Sequence, residues 1–206
     1  MTPRLILAST SPRRRELLGL LGLPFEVVAS RYDESLLSPD GLTPPEYVTR
    51  LAHGKASEVA ARTEGGALVI GADTTVILDG ATLNKPADAG DARRMLRLLS
   101  GRTHQVYTGL CLIPVQNGVA GVAQTDHAVT DVTFDALTEE IIAAYVAGGE
   151  PLDKAGAYGI QGKALSFIPA IQGDYFNVVG LPLFLLGKML PGFGVHVWPS
   201  GNSAGH

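Results

Sequence analysis

Leu5-Ile-Leu-Ala-Ser-Thr-Ser-Pro-Arg-Arg-Arg-Glu-Leu-Leu18 sets the architecture of the chain. Four apolar residues, Leu5 to Ala8, read as a short buried strand. Ser11 is suited to cap a helix and Pro12 to its first position, where a fixed φ helps and a missing N–H costs nothing, so a helix is expected from Pro12 to about Leu21. A strand that feeds a helix without a hairpin turn is the opening of an α/β domain. Downstream the alternation continues. Phe25 to Ala29 reads as a second strand, and Pro44-Pro45 opens a helix with the stripe Val48, Leu51, Ala52, Lys55, Ala56 and Val59, in which Lys55 is the odd member. Ala67 to Ile70 is a strand ending in Gly71-Ala-Asp-Thr74; Thr75 to Leu78 continues it or pairs beside it, before a turn at Asp79-Gly80.

Asp88 to Leu99 is amphipathic, with Ala92, Met95, Leu96 and Leu99 on one side. Asn117-Gly118 lies between two extended runs, Gln105–Val115 and Val119–Phe134, and is a strong hairpin signal because both residues accept positive φ. Thr138 caps a further helix, the stretch from Gly156 to Gly180 is Gly-rich with short β-like pieces, and Pro182 opens a last helix. The pattern predicts an α/β (mixed α+β) fold with a central mixed sheet flanked by helices. A single domain is expected over 1–190, with a loose tail over 191–206.

Composition narrows the function classes. The chain has 206 residues, 46% hydrophobic and 17% charged, which fits a packed domain and not a disordered chain or a coiled coil. A net charge of −4 argues against a general nucleic-acid binder, whose affinity would come from surplus Lys and Arg. Any anion must therefore be held by a local cationic cluster. One cysteine, Cys111, excludes an internal disulfide and a cysteine-based zinc site. No secretory pattern opens the sequence, and the longest apolar run, Val178 to Gly187, is about half of the ~20 residues a membrane span needs. A soluble, cytoplasmic protein with no membrane or nucleic-acid partner is expected.

Three consecutive arginines, Arg13 to Arg15, at the positive end of a helix call for an explanation. A bound phosphate supplies one, since hydroxyls, backbone N–H groups and guanidinium forks converge there; a solvated basic turn is the plainer alternative. No Walker-type glycine cradle is present. Asp73 stands at a strand end, where ligands of open α/β sheets collect and where a carboxylate can hold Mg²⁺ or orient a water. Taken alone, a turn aspartate closing onto Thr74 and Thr75 is the commoner outcome. Asp33-Glu34 can add metal-ligand oxygens or be a solvated acidic loop. Lys55, Lys85 and Lys154 sit in poor settings for lysine: each can snorkel or pair locally, and together they supply point charges for a polyphosphate. In Ala157-Tyr-Gly-Ile-Gln-Gly162 the glycines allow close backbone approach, and the Gln161 amide can read a base edge. His104 reads best as a satisfied structural histidine.

Taken in order, these segments resemble the Maf family of nucleoside triphosphate pyrophosphatases, also called septum formation inhibitor proteins. The matching stretches are Leu5 to Leu18, Arg50-Leu-Ala-His-Gly-Lys-Ala56, Ile70-Gly-Ala-Asp-Thr74, Lys85-Pro86 and Ser100-Gly-Arg-Thr-His104. They continue through Tyr107-Thr-Gly109, Asp153-Lys-Ala-Gly-Ala-Tyr-Gly-Ile-Gln-Gly162 and Gly173-Asp-Tyr-Phe-Asn-Val-Val-Gly-Leu-Pro-Leu183.

The resemblance implies a Maf/inosine-triphosphatase-like fold with two lobes around a nucleotide cleft. It also implies metal-dependent cleavage of a nucleoside triphosphate between the α and β phosphates. Carried over residue by residue, it makes Asp73 the catalytic carboxylate and Ser9, Arg13, Arg14, Lys55 and Lys85 the substrate and phosphate contacts. Glu34 with Asp73 becomes the Mg²⁺ or Mn²⁺ pair, and Arg14, Thr74 and Gln161 the base-selecting set. Asp153-Lys154 and Ile160-Gln161-Gly162 are similar to the branch acting on dTTP and UTP. The 7-methyl-GTP branch usually has Cys after that Asp and Glu before that last Gly. Asn84 stands where the family usually has Gly before Lys-Pro, an exchange expected to rely on asparagine's tolerance of left-handed backbone. A homodimer is a family-level expectation. The competing readings are a 7-methyl-GTP-type enzyme and a non-enzymatic nucleotide- or protein-binding regulator of septum formation.

Overall fold

The computed structural model describes residues 3–198. One mixed sheet of eight strands runs through the molecule, with the path β2-β1-β3-β5-β7-β8. β1 (Arg4–Leu7) lies parallel to β2 (Phe25–Val27) on one side and to β3 (Ala67–Leu78) on the other. The connections are α1 (Pro12–Gly19) and α2 (Pro44–Ala60). β4 (Ala81–Leu83) turns back onto β3 through Asp79-Gly80, whose φ values of 50° and 79° give the expected tight hairpin turn. After α3 (Ala89–Leu99), the long strand β5 (Thr103–Gln116) pairs antiparallel with β3 and then with β7 (Gln124–Thr133). β8 (Ala170–Gln172) completes the far edge.

The caps read from the sequence are in place: Ser11 Oγ accepts from the Arg14 N–H and Thr138 Oγ1 from the Ile141 N–H. The structure adds one the sequence reading did not name, a reciprocal capping box of Thr43 and Glu46 at the start of α2. Period-two alternation splits β3 between two cores. Ala67 and Val69 pack under α2 with Ile6, Ala56, Val59 and Cys111; Leu68, Ile70 and Ala72 face a larger cluster. To that second cluster α1, α3, α4 (Glu139–Ala147) and α6 (Leu183–Met189) contribute Leu18, Leu96, Ile142 and Leu186. Cys111 is fully buried, and burial pushes its thiol up to about 12, so it behaves as a small core residue.

Several expectations are corrected. Thr75 to Leu78 continues the strand begun at Ala67, one of the two readings open to it, so Asp73 lies inside β3 and not at a strand end: β5 pairs with it without interruption from Ala67 to Ile77. The run 119–134 is divided into β6 (Val119–Ala120) and β7, since Gly121 N donates to Pro114 O at 2.7 Å and folds the chain back. Between 150 and 167 the β-like pieces give way to single 3₁₀ turns, where Gly149, Gly156 and Ala157 adopt positive φ that no strand tolerates. β8 and the short helix α5 (Tyr175–Val179) follow. The segment expected to fray from Pro191 packs instead as far as Val195: Leu190–Phe193 form a 3₁₀ turn and Val195 is fully buried. The remainder of that tail, 199–206, lies outside the described residues.

Candidate active site

The site is built on an interruption in the sheet. On one edge of β3, β1 pairs as far as Ile70, where Ala8 N donates to Ile70 O at 2.8 Å, and β4 resumes pairing at Val76. Among the described residues no strand covers Gly71 to Thr75 on that edge. β1 peels away there through Ser9-Thr10-Ser11 into the N-terminus of α1, so backbone N–H groups and a helix's positive end face the gap. The cleft that opens is about 870 Å³. Because side chains alternate along a strand, the neighbours Asp73 and Thr74 reach it from opposite faces of the sheet.

On the α2 face, Asp73 is 7% exposed and its Oδ1 accepts from Lys55 Nζ at 2.5 Å. The same ammonium lies 2.9 Å from Glu34 Oε1. Lys55 falls on the apolar stripe of α2, yet its helix sits so close to the sheet that the side chain emerges at the strand edge. Two glycines cause this: a Cβ on Gly71 would overlap the Ala52 carbonyl and Ala56, and one on Gly109 would overlap the backbone of Val48 and Thr49. Glu34 lies in a 3₁₀ turn capped by Asp33. Burial pushes its carboxyl up, but the hydrogen bond and charge of Lys55, with Lys85 and Arg14, outweigh it and hold the pKa below the ordinary value.

On the opposite face a directed chain of hydrogen bonds fixes Arg14. Nε donates to Gly180 O at 2.8 Å and Nη2 to Thr74 Oγ1 at 3.1 Å. Thr108 Oγ1 gives its proton to Asn177 O at 2.9 Å, so the 2.9 Å contact between the two threonine hydroxyls has Thr74 as donor. Asn177 is fully buried and donates to Val106 O at 2.9 Å and Thr130 Oγ1 at 3.0 Å. Two of the five Arg14 N–H donors are thereby committed and the rest stay available to a ligand. Burial lowers the Arg14 pKa from its ordinary value against the pull of Asp73 and Glu34, and the group remains a cation.

The nine residues assigned roles by the family resemblance, Ser9, Arg13, Arg14, Glu34, Lys55, Asp73, Thr74, Lys85 and Gln161, line this one cleft, whereas Asp33 caps the turn that carries Glu34. Ser9 is buried and its Oγ accepts from Ser11 N, so it shapes the strand-to-helix junction. Arg13 reaches Asp153 at 3.9 Å. Lys85 and Gln161 are exposed on the wall. Lys154, considered as a point charge for polyphosphate, is committed to Asp153 Oδ1 and Glu150 O, each at 2.6 Å. Asn84 needs no left-handed tolerance, since it is absent from the positive-φ residues; its carbonyl instead accepts from Gly156 N. His104 is structural: it is buried, bonds Tyr158 Oη through Nε2 at 2.8 Å, and burial lowers its pKa to about 4. Sequence reasoning missed Tyr32, which lies across Gly54 at the cleft, and Tyr158, whose hydrogen bond to His104 sets it in the cleft wall.

Among the described residues no group of three or more His, Cys, Asp or Glu side chains converges. Asp73 and Glu34, both bonded to one ammonium, offer two hard oxygen donors side by side. That set fits an octahedral cation that keeps water and phosphate oxygens as its other ligands. It does not fit a site closed by protein alone.

Fold and site together define an α/β protein with a cationic, strand-edge cleft suited to phosphorylated ligands. The family model for Maf-like proteins matches residues 4–193, and the chain belongs to the Maf family. It is 54% identical over 195 residues to a Moorella thermoacetica protein named dTTP/UTP pyrophosphatase, covering 95% of this chain and 97% of that one. It is 50% identical over 185 residues to a Thermococcus gammatolerans protein of the same name, covering 90% and 94%. A solved structure of a nucleoside-triphosphatase, or dITP/XTP pyrophosphatase, from Mycobacterium abscessus aligns with 15% identity over 65% of this chain and 75% of that one. Its TM-score of 0.39 is too low to bear on the fold. Among the described residues no helix is long and apolar enough to cross a membrane.

Proposed function

We propose that the chain is a nucleoside triphosphate pyrophosphatase that hydrolyses dTTP, UTP and modified pyrimidine triphosphates to the monophosphate and pyrophosphate, removing them before polymerases use them. One observation carries this: at a single gap in the sheet, the Asp73–Lys55–Glu34 cluster on one face meets the Arg14–Thr74 pair on the other. Polyphosphate chemistry suits the first group and base recognition the second, and the cleft volume accommodates a nucleotide.

In this reading Asp73 takes a proton from the attacking water, whose oxygen bonds the α-phosphorus as the bond to the α–β bridging oxygen breaks. Negative charge moves onto the leaving pyrophosphate. Lys55, Lys85 and Arg13 stand ready to stabilise it, together with the N–H groups at the start of α1. Lys55 exchanges one of its two carboxylates for a phosphate oxygen when the substrate enters. Glu34 and Asp73 would hold a Mg²⁺ or Mn²⁺ ion, which when bound would supply additional positive charge against the triphosphate. Gln161, whose amide both donates and accepts, matches the O4 and N3–H edge of uracil or thymine. A cytoplasmic location follows from the nucleotide pools such an enzyme serves.

The test is product analysis of dTTP, UTP, CTP, GTP and 7-methyl-GTP with Mg²⁺ or Mn²⁺ and with chelator. Monophosphate plus pyrophosphate from dTTP and UTP, lost with chelator, is the expected result. Turnover of 7-methyl-GTP in their place refutes the base assignment, diphosphate plus phosphate refutes the cleavage register, and tight binding without turnover refutes the enzyme.

A further inference from the structure

The residue expected to read the base, Gln161, stands on a four-residue turn, Gly159-Ile-Gln-Gly162, closed by Gly162 N to Gly159 O at 3.0 Å. What holds that turn at its height on the cleft wall is a pair of side chains with no part in the chemistry above. Tyr145, on α4, is buried; its hydroxyl accepts from Gly159 N at 3.1 Å and donates to Glu150 Oε1 at 2.8 Å. Glu150 Oε2 accepts from Lys163 N at 3.1 Å. One carboxylate therefore engages the far flank of the turn directly and the near flank through the phenol. A Cβ on Gly162 would overlap that carboxylate, so the turn rests on it without clearance. Burial, aided by Glu150 and opposed by the Gly159 N–H, raises the Tyr145 pKa well above its ordinary value, and its proton stays on the oxygen that donates.

Glu150 also connects to Arg13 on the cleft lining. Its backbone carbonyl accepts from Lys154 Nζ at 2.6 Å; Lys154 in turn pairs with Asp153, which faces Arg13. That link runs through the backbone, so substitution of the Glu150 side chain removes its bonds to Tyr145 and Lys163 and keeps the carbonyl that Lys154 uses.

We propose that Glu150 and Tyr145 are positioning residues that fix the Gln161 turn in the cleft and so set the enzyme's preference for pyrimidine triphosphates, an inference that rests on the dTTP/UTP reading. Their loss should disturb base selection and leave the phosphate grip alone, which separates the role from a merely structural one.

The experiment compares Tyr145→Phe, Glu150→Gln and Glu150→Ala with the unaltered full chain. It measures kcat and KM for dTTP, UTP, CTP and dGTP, and inhibition by inorganic pyrophosphate. Glu150→Ala should lower the dTTP/CTP ratio of kcat/KM about tenfold, carried by KM, with pyrophosphate inhibition unchanged. Glu150→Gln, which keeps an acceptor for the Lys163 N–H, should recover part of the preference, and Tyr145→Phe should fall between the two. An unchanged ratio in folded variants, or an equal loss on every nucleotide borne by kcat, overturns the proposal. If Glu150→Ala does not fold, Tyr145→Phe decides, because it removes one oxygen and keeps the ring. If the unaltered protein does not turn over dTTP at all, the functional reading fails, and that outcome is distinct from a pyrimidine preference that survives the substitutions.

Discussion

Replacing Gly71 with alanine tests whether the seating of α2 on the sheet sets the chemistry at Asp73. An added Cβ would fall 2.9 Å from Ala56 Cβ and 3.0 Å from Ala56 N. Carbon contacts settle at about 3.5–4.0 Å and the Ala52 carbonyl is overlapped more deeply still, so α2 must rise from β3 by about 1 Å. Overpacking of this kind costs about 1–3 kcal/mol of stability. The same lift stretches the 2.5 Å Lys55–Asp73 contact toward the limit of a hydrogen bond. A displacement near 1 Å can cost up to about 100-fold in rate; the lysine stem recovers part of it, leaving an expected fall of about 10- to 100-fold in kcat. Urea unfolding and initial rates on dTTP measure the two effects. Gly187→Ala is the control, since nothing lies within 4 Å of its added Cβ and alanine favours a helix interior. Ordinary stability together with ordinary kcat in Gly71→Ala would refute the argument that these glycines place Lys55.

Asp73→Asn should retain nucleotide binding, measured calorimetrically, while turnover drops by about 10²- to 10⁴-fold; near-normal turnover removes Asp73 as the proton acceptor. His104 makes stability depend on pH. Its pKa is depressed from 6.5 to about 4, so the native state holds it neutral while the unfolded chain takes up a proton below pH 6.5. Stabilisation of about 3 kcal/mol is therefore present above pH 6.5 and is lost as pH falls toward 4. Urea midpoints across that window should slope less in His104→Asn, and an unchanged slope would show that the histidine is not responsible.

The longer strands, two helix caps and most helices were legible because each announces itself locally: Ser11-Pro12, Thr138, Asp79-Gly80 and Asn117-Gly118 all carry their own geometry. The stretch 150–167 was not legible, since glycine permits extended and left-handed backbone alike and only the packed neighbours choose between them. The site was half visible. Lys55 stood out as a charge on an apolar stripe, and Asp73 as a carboxylate closing an apolar run, though it lies inside β3, beside the gap left on one edge, and not at the strand's end. That the two meet depends on how closely α2 approaches the sheet, and that distance is set by small residues on separate elements, Ala52 and Ala56 on α2 against Gly71 and Gly109 on the strands, whose pairing no local pattern announces. Tyr145 escaped notice because it fits the apolar face of α4, where its hydroxyl gives no sign of what it bonds.

The uncovered edge of β3 has a consequence for association. An open sheet edge is a template on which a foreign extended segment can add as a further strand, the first step of edge-to-edge aggregation. Here the open stretch is five residues, 71–75, recessed between the end of β1 and the start of β4. An intruding segment would have to end abruptly at both borders and would meet Asp73 and its ammonium partner on entry. A small polyanion passes those borders and welcomes those charges. The geometry that admits the ligand therefore also acts as a size and charge filter, keeping the exposed edge closed to other polypeptides.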